Sequence, residues 1–224
     1  MNNKIKSIVI TQNDFIIRNV TDEELDIRGH LSNFTEFDQS GHLLKEIKYD
    51  RSGLFEDMHI YTYDDKGFLI TDSYYPEENE EAEKITYEND ETGLVVKTRK
   101  KYLDGSVDTT VYSYDENKRL EKMVTTSDDG EPEEVEVIEN PERPLSDDIP
   151  DTEENEARIT RNEKGQIVLE EVFSEDDQLL SKIERKYNED ENLSEVEVFI
   201  DGQGKRFTRH YILRYEYTYF TEPE

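Results

Sequence analysis

The chain has no cysteine among its 224 residues, which removes disulfides, thiolate zinc sites and cysteine nucleophiles together. Apolar residues are scarce as well: 33% are hydrophobic against 38% charged, and the mean hydropathy is -0.98. Such values approach the composition of chains that stay disordered. No segment nears the roughly 18 apolar residues of a membrane helix. The N-terminal run Ile8, Val9, Ile10 is too short for a signal-peptide core, so a cytoplasmic location is expected. The four histidines, His30, His42, His59 and His210, fall in no nucleophile or metal motif. Gly-x-Ser-x-Gly, phosphate-loop and dinucleotide fingerprints are missing too. The expectation is a protein with no catalytic residue, no cofactor and no metal.

Positive charge is also in short supply. There are 27 Lys and Arg against 57 Asp and Glu, a formal net charge of -30. That field repels phosphates and anionic lipid, so neither direct nucleic-acid binding nor membrane association is expected. A protein partner with a basic surface would instead be attracted. Two basic clusters stand out, Lys97 to Lys101 and Lys205 to Arg214. Cross-strand pairing with acidic neighbours is expected there, and a local anion or acidic-peptide site is the alternative.

What the chain does have is aromatic surface, with 14 Tyr and 9 Phe. Aromatic side chains bury large areas with few rotors to freeze, so they can hold a thin sheet where aliphatic residues are few. The stretch from Tyr61 to Leu69 shows how they are placed. Tyr61 and Tyr63 are two apart and share one strand face. Asp64, Asp65 and Lys66 suit a type I turn, and Gly67 suits the left-handed position that follows. Leu69 opens the return strand.

The same punctuation returns along the chain: Phe37 to Gly41, Tyr49 to Gly53, Tyr63 to Gly67, Tyr87 to Gly93, Tyr102 to Gly105 and Tyr114 to Lys118. After an interruption it resumes at Arg161 to Gly165, Phe173 to Asp177, Tyr187 to Glu191 and Phe199 to Gly202. Aromatic-to-aromatic steps of 12 to 15 residues, with one of 24, equal roughly one strand plus one turn and predict antiparallel β-structure. The last strand is marked by Tyr211, Leu213, Tyr215, Tyr217 and Tyr219 alternating with polar residues.

The expected organisation is an N-terminal capping segment over 1–30, a first β-repeat block over 31–127, an acidic loop or linker over 128–157, and a second block over 158–220 continuing the same sheet. Within the first segment, Ile5 to Thr11 and Asp14 to Val20 read as strands, and Thr21 with Glu24 resembles a helix N-cap. The interruption holds 14 acidic residues, a single Arg143 and four of the six prolines, so it is expected to be disordered apart from Glu133 to Ile138. The fold class expected is all-β: an antiparallel meander of hairpins in an open or curled, single-layer sheet.

The Tyr-Asp-x-x-Gly-x-Leu pattern at 37–43 and 63–69, and in weaker form at 114–120, resembles the YD repeats of RHS-type proteins. The resemblance covers about residues 31–219. It implies long hairpin sheets and carries no catalytic residues with it. Large members of that family wind into shells, for which this chain is too short.

Function is therefore expected to be non-catalytic: a bacterial interaction protein that binds a basic partner, as an immunity or toxin-neutralising protein would. The residues expected to face that partner are Tyr61, Tyr63, Tyr112, Tyr114, Tyr211, Tyr215 and Tyr217. Open sheet edges would also allow oligomers. Two alternatives belong to other classes: a nucleic-acid mimic that inhibits a DNA- or RNA-binding protein, and a carbohydrate-active enzyme using paired carboxylates.

Overall fold

The computed structural model describes residues 4–19, 24–128, 130, 132–137, 156–201 and 208–221. These contain fifteen strands and no helix. In chain order they are β1 Ile5–Asn19, β2 Glu24–Phe37, β3 Leu43–Tyr49, β4 Phe55–Tyr63, β5 Leu69–Tyr75, β6 Glu83–Asn89, β7 Val95–Tyr102 and β8 Val107–Tyr114. The rest are β9 Leu120–Thr126, β10 Pro132–Val137, β11 Glu156–Arg161, β12 Ile167–Phe173, β13 Leu179–Tyr187, β14 Leu193–Ile200 and β15 Arg209–Tyr219. The expected all-β, open antiparallel meander is the fold observed. It is open because, among the described residues, β10 pairs only with β9, and β11 only with β12.

The chain forms two compact units. One comprises Met1–Phe34, Tyr49–Leu54 and Ile149–Glu224, and its strands run β2-β1-β15-β14-β13-β12-β11. The other comprises Thr35–Lys48 and Phe55–Asp148, with strands β3 to β10 in sequence order. This division differs from the segments expected from composition. Within the N-terminal segment, Ile5–Asn19 is a single 15-residue strand, paired with the last strand through Ile8 opposite Tyr217, Ile10 opposite Tyr215 and Asp14 opposite Tyr211. Glu24, expected in a helical turn, opens β2. The expected disordered insertion lies outside the described residues over 138–155. Ahead of it, β10 is the strand anticipated near Glu133.

The turns show why these residues reverse the chain. After β4 the Asp64 N–H donates to the Phe68 carbonyl at 2.9 Å, and the Gly67 N–H donates to the Asp64 carbonyl at 3.0 Å. The Asp64 carboxylate accepts the N–H groups of Lys66 and Phe68, both at 2.9 Å. Gly67 has φ +86°, and the strand register slips between Thr62 and Tyr63. This is a type I turn closed by a left-handed residue and a bulge, a turn whose twist suits antiparallel strands. Asp38, Asp50, Asp90 and Asp115 cap their turns through the same pair of backbone N–H groups. Asn162 does so as well.

Degenerate copies keep the geometry without the glycine. Lys118, Asp177 and Glu191 occupy the left-handed position at φ 62°, 59° and 68°. Each forces a Cβ where only glycine is comfortable.

Burial is shallow throughout. Among described residues only Met58, Val196 and Val198 are buried hydrophobics, and no side chain is fully buried. Val196 lies between Arg185 and Leu213, and Val198 between Ile183 and Tyr211, so strand neighbours on the same face do the shielding. Cross-strand pairs worth roughly 0.2–1 kcal/mol each are then the main unit of stabilisation.

Replacing Lys118, Asp177 or Glu191 by Gly relieves a left-handed strain of roughly 1–2 kcal/mol, less the extra flexibility of glycine in the unfolded chain. Each variant should raise the urea midpoint with an unchanged slope. Gly67→Ala should lower it, because the added methyl meets His42 at 2.8 Å as well as the unfavourable φ.

Candidate functional site

The repeat tyrosine has a structural task at the sheet ends. Tyr63 O–H donates to the Leu43 carbonyl at 2.8 Å, and Tyr114 O–H to the Val95 carbonyl at 2.7 Å. Between them, Asn89 Nδ2 donates to the Leu69 carbonyl at 2.8 Å. Each donor precedes one turn, and each acceptor follows the previous turn on the same side. Successive hairpins are thereby stapled in a continuous row. The other unit has the same staple from Tyr187 to Ile167 and from Tyr217 to Leu193, at 2.9 and 2.7 Å.

Asn89 corrects the expected frame. Sequence spacing places the third copy at Tyr87, yet Asn89 and Asp90 occupy the tyrosine and aspartate positions. Turns on this side begin at Phe37, Tyr63, Asn89 and Tyr114, so the structural period is 25 or 26 residues and two strands.

The seven tyrosines expected to face a partner divide by unit and by role. Tyr61, Tyr63, Tyr112 and Tyr114 lie in one unit, and Tyr211, Tyr215 and Tyr217 in the other. The hydroxyls of Tyr63, Tyr114 and Tyr217 are the staples. Tyr61 lies opposite Asp72 and stacks on His59 with centroids 5.9 Å apart. Tyr112 brings its hydroxyl within 3.2 Å of Thr98 Oγ1. Tyr217 stacks on Tyr219 at 6.4 Å. Tyr211 and Tyr215 lie on the face that also carries Ile8, Ile10, Val196 and Val198. All seven are half-buried, with part of each ring at the surface.

Burial pushes the Tyr61 hydroxyl up to about 12, with Asp72 and Glu46 adding to the shift. Burial likewise raises Tyr87 and Tyr215.

Every histidine faces a carboxylate, which sequence reading did not anticipate. His59 Nδ1 lies 2.8 Å from Asp72 Oδ1, His42 Nδ1 2.9 Å from Asp38 Oδ2, and His210 Nε2 2.7 Å from Glu197 Oε1. His30 lies 3.8 Å from Asp14. In strands these pairs are cross-strand neighbours, invisible until register is known. The His42–Asp38 pair borders a cleft of about 410 Å³ between two stapled turns, lined also by Leu44, Tyr61, Tyr63 and Lys66. Asp38 is held down to about 2, first by its bond from His42, with the N–H groups of His42 and Ser40 assisting against partial burial. Its lone pairs are therefore already engaged. Among described residues no three metal-ligating side chains come together.

No family model matches the chain. No curated protein matches it either. Among solved structures it is similar to a porin-like protein from Bacteroides uniformis, at 11% identity and a TM-score of 0.41, covering 96% of this chain and 98% of that one. It is also similar to a structure of TcdB2-TccC3-Cdc42, at 12% identity and a TM-score of 0.39, covering 84% of this chain and 12% of that one. A structure of TcdB2-TccC3-TEV matches at 10% identity and a TM-score of 0.23, again over 84% of this chain and 10% of that one.

Tyr63→Phe and Tyr114→Phe should each cost about 1 kcal/mol by removing one staple, read as a lower denaturant midpoint. Tyr61 folds with a raised pKa, so its contribution is complete below pH 10 and is lost as pH rises toward 12. Ring-carbon NMR should find Tyr61 titrating late, and Tyr61→Phe should flatten that part of the alkaline stability curve. Asp38 is shifted the other way. Its contribution is present above its ordinary 3.8 and is lost as pH falls toward 2; Asp38→Asn should remove that acid limb.

Proposed function

We propose that the protein is a non-catalytic, acidic β-repeat whose sheet binds a basic protein partner, in the manner of an immunity or toxin-neutralising protein. The carrying observation is a row of exposed acids at equivalent turn positions. Asp65, Glu91 and Glu116 each follow the capping Asp in successive turns on one side of a unit. The capping carboxylates are occupied by backbone N–H groups, whereas these neighbours are left to the solvent. Such a row, within a net charge of -30, steers a cationic surface toward the sheet end. The half-buried tyrosines next to it supply rigid aromatic contact area once the partner has arrived.

The YD-repeat reading is supported by the role each motif position plays: the tyrosine staples, the aspartate caps, the glycine takes the left-handed position and the leucine accepts the next staple. Nucleic-acid mimicry is the second reading, since it too needs regularly placed acids. Turns two strands apart set those acids about 9.5 Å from one another. That spacing is wider than the step between successive phosphates of a nucleic-acid strand, which favours the basic protein.

Affinity capture from the native host at low and moderate salt tests the proposal. A partner with a basic surface, whose affinity falls as salt rises, is expected. Triple replacement of Asp65, Glu91 and Glu116 by Lys should slow association by about tenfold or more. Capture of a partner without basic surface, held equally well at both salts, would sink the idea.

A further inference from the structure

The basic cluster of β7 is split by strand alternation into two groups with different fates. Lys100 points to one face, where Glu83 lies 2.8 Å from its ammonium. Lys97 points to the other, where Glu88 lies at 2.8 Å. Arg99 and Lys101 share the face of Lys97, and there the pairing stops. Directly opposite Lys101 on β6 is another cation, Lys84. Opposite Arg99 lie Thr86 and Thr109, and opposite Lys84 lies Ser73. Among the described residues, Lys84, Arg99 and Lys101 have no ion pair. Acids close in register or in the adjoining turns are engaged elsewhere: Glu88 with Lys97, Asp104 with the Ser106 N–H and hydroxyl, and Asp128 with the Val107 N–H at 2.8 Å.

Two like charges directly across a strand pair repel. Acidic residues outnumber basic ones 57 to 27 here, so an acidic neighbour for Lys84 would be the ordinary outcome of composition. The arrangement is strained electrostatically unless an anion sits between the cations. Its dimensions define that anion. Opposed Cβ atoms are about 4.5–5.5 Å apart, and Arg99 lies two residues along the strand from Lys101, about 7 Å. Two ammonium groups and a guanidinium can therefore converge on one compact group, with the Thr86 and Thr109 hydroxyls beside it. Three cations match a dianion with several oxygens better than a single carboxylate. A long polyanion would run from this patch onto the acidic surroundings. A compact one stays within the screening length of about 8 Å and feels mainly its immediate neighbours.

We propose that Lys84, Arg99 and Lys101 form a binding site for a compact phosphate dianion, either free phosphate or a phosphomonoester. The site is independent of the acidic turn row and of the basic partner.

The test is an NMR titration of the full-length chain, following lysine and arginine side-chain signals at constant ionic strength. Inorganic phosphate, phosphoserine and a single-stranded DNA oligonucleotide are the probes, and sodium chloride is the reference. Saturable shifts at Lys84, Arg99 and Lys101 are expected with the first two probes. Tighter binding of phosphoserine assigns a monoester, and tighter binding of inorganic phosphate assigns the free ion. Lys84→Gln and Lys101→Gln should each weaken binding about tenfold, while Lys100→Gln on the opposite face leaves it unchanged. Lys84→Gln should also raise the thermal midpoint, since it removes a repulsion, so its loss of binding is separable from misfolding. The proposal fails if chloride gives the same shifts, an adventitious ion only, or if no probe saturates. It fails equally if Lys100→Gln weakens binding as much as Lys84→Gln, or if the oligonucleotide binds these residues more tightly than phosphoserine.

Discussion

The fold depends on a single hydrogen bond repeated along the sheet, from the side chain before one turn to the carbonyl after the previous turn. Backbone ladders join each strand to both its neighbours, within a hairpin and between hairpins. The staple closes the end of the ladder between successive hairpins with a side-chain bond, from Tyr63 to Leu43, from Asn89 to Leu69 and from Tyr114 to Val95. It needs a donor at the end of a long or planar side chain. Tyrosine meets that need while covering the sheet with its ring, and asparagine meets it without the cover. The turn serves the same end: the bulge at Thr62 and Tyr63 sets where the ring leaves the strand, and Gly67 makes that bulge possible.

A sheet held this way can have an unusual composition. Few side chains are buried, so few aliphatic residues are needed, and each strand position mainly has to suit its two lateral neighbours. That tolerance allows charged residues at most positions, often as cross-strand pairs. Glu195, for example, is bound by Lys186 on one side at 2.7 Å and by Arg214 on the other at 3.2 Å. Its carboxyl is accordingly held low, chiefly by the lysine bond. The same tolerance leaves the protein with surface to spare for recognition, because no face is committed to a deep core.

Much of this was legible in the sequence because turn chemistry is local. Asp64 and Gly67 act within five residues, so their spacing announces the hairpin before any fold is known. The staple acts over about 20 residues, and only the tyrosine half of it looks distinctive. Asn89 therefore carries no distinctive signal of its own, and aromatic spacing points to Tyr87 for the third copy. A search for the two-strand period of 26 residues, in place of the one-strand step, would have found it. The pairing of β1 with β15 joins the two ends of the chain, and no local pattern encodes it. Glu24 shows the opposite failure: a local helix-cap signal is overridden by the lateral bonds that a long strand gains from its neighbours.

Register also changes what a run of charge means. Lys97, Thr98, Arg99, Lys100 and Lys101 look like one basic patch in sequence, yet a period of two sends Lys100 to Glu83 on one face and Lys97 to Glu88 on the other. Whether the remaining cations are neutralised depends on one further fact, the identity of the residue opposite Lys101. With Glu at position 84 the cluster would be another cross-strand pair of the kind that holds β13 to β14. With Lys84 there, the same strand becomes an unsatisfied cationic corner in a protein of opposite charge. Function in a sheet of this type can thus turn on a single opposed pair, while the repeat that carries it stays unchanged.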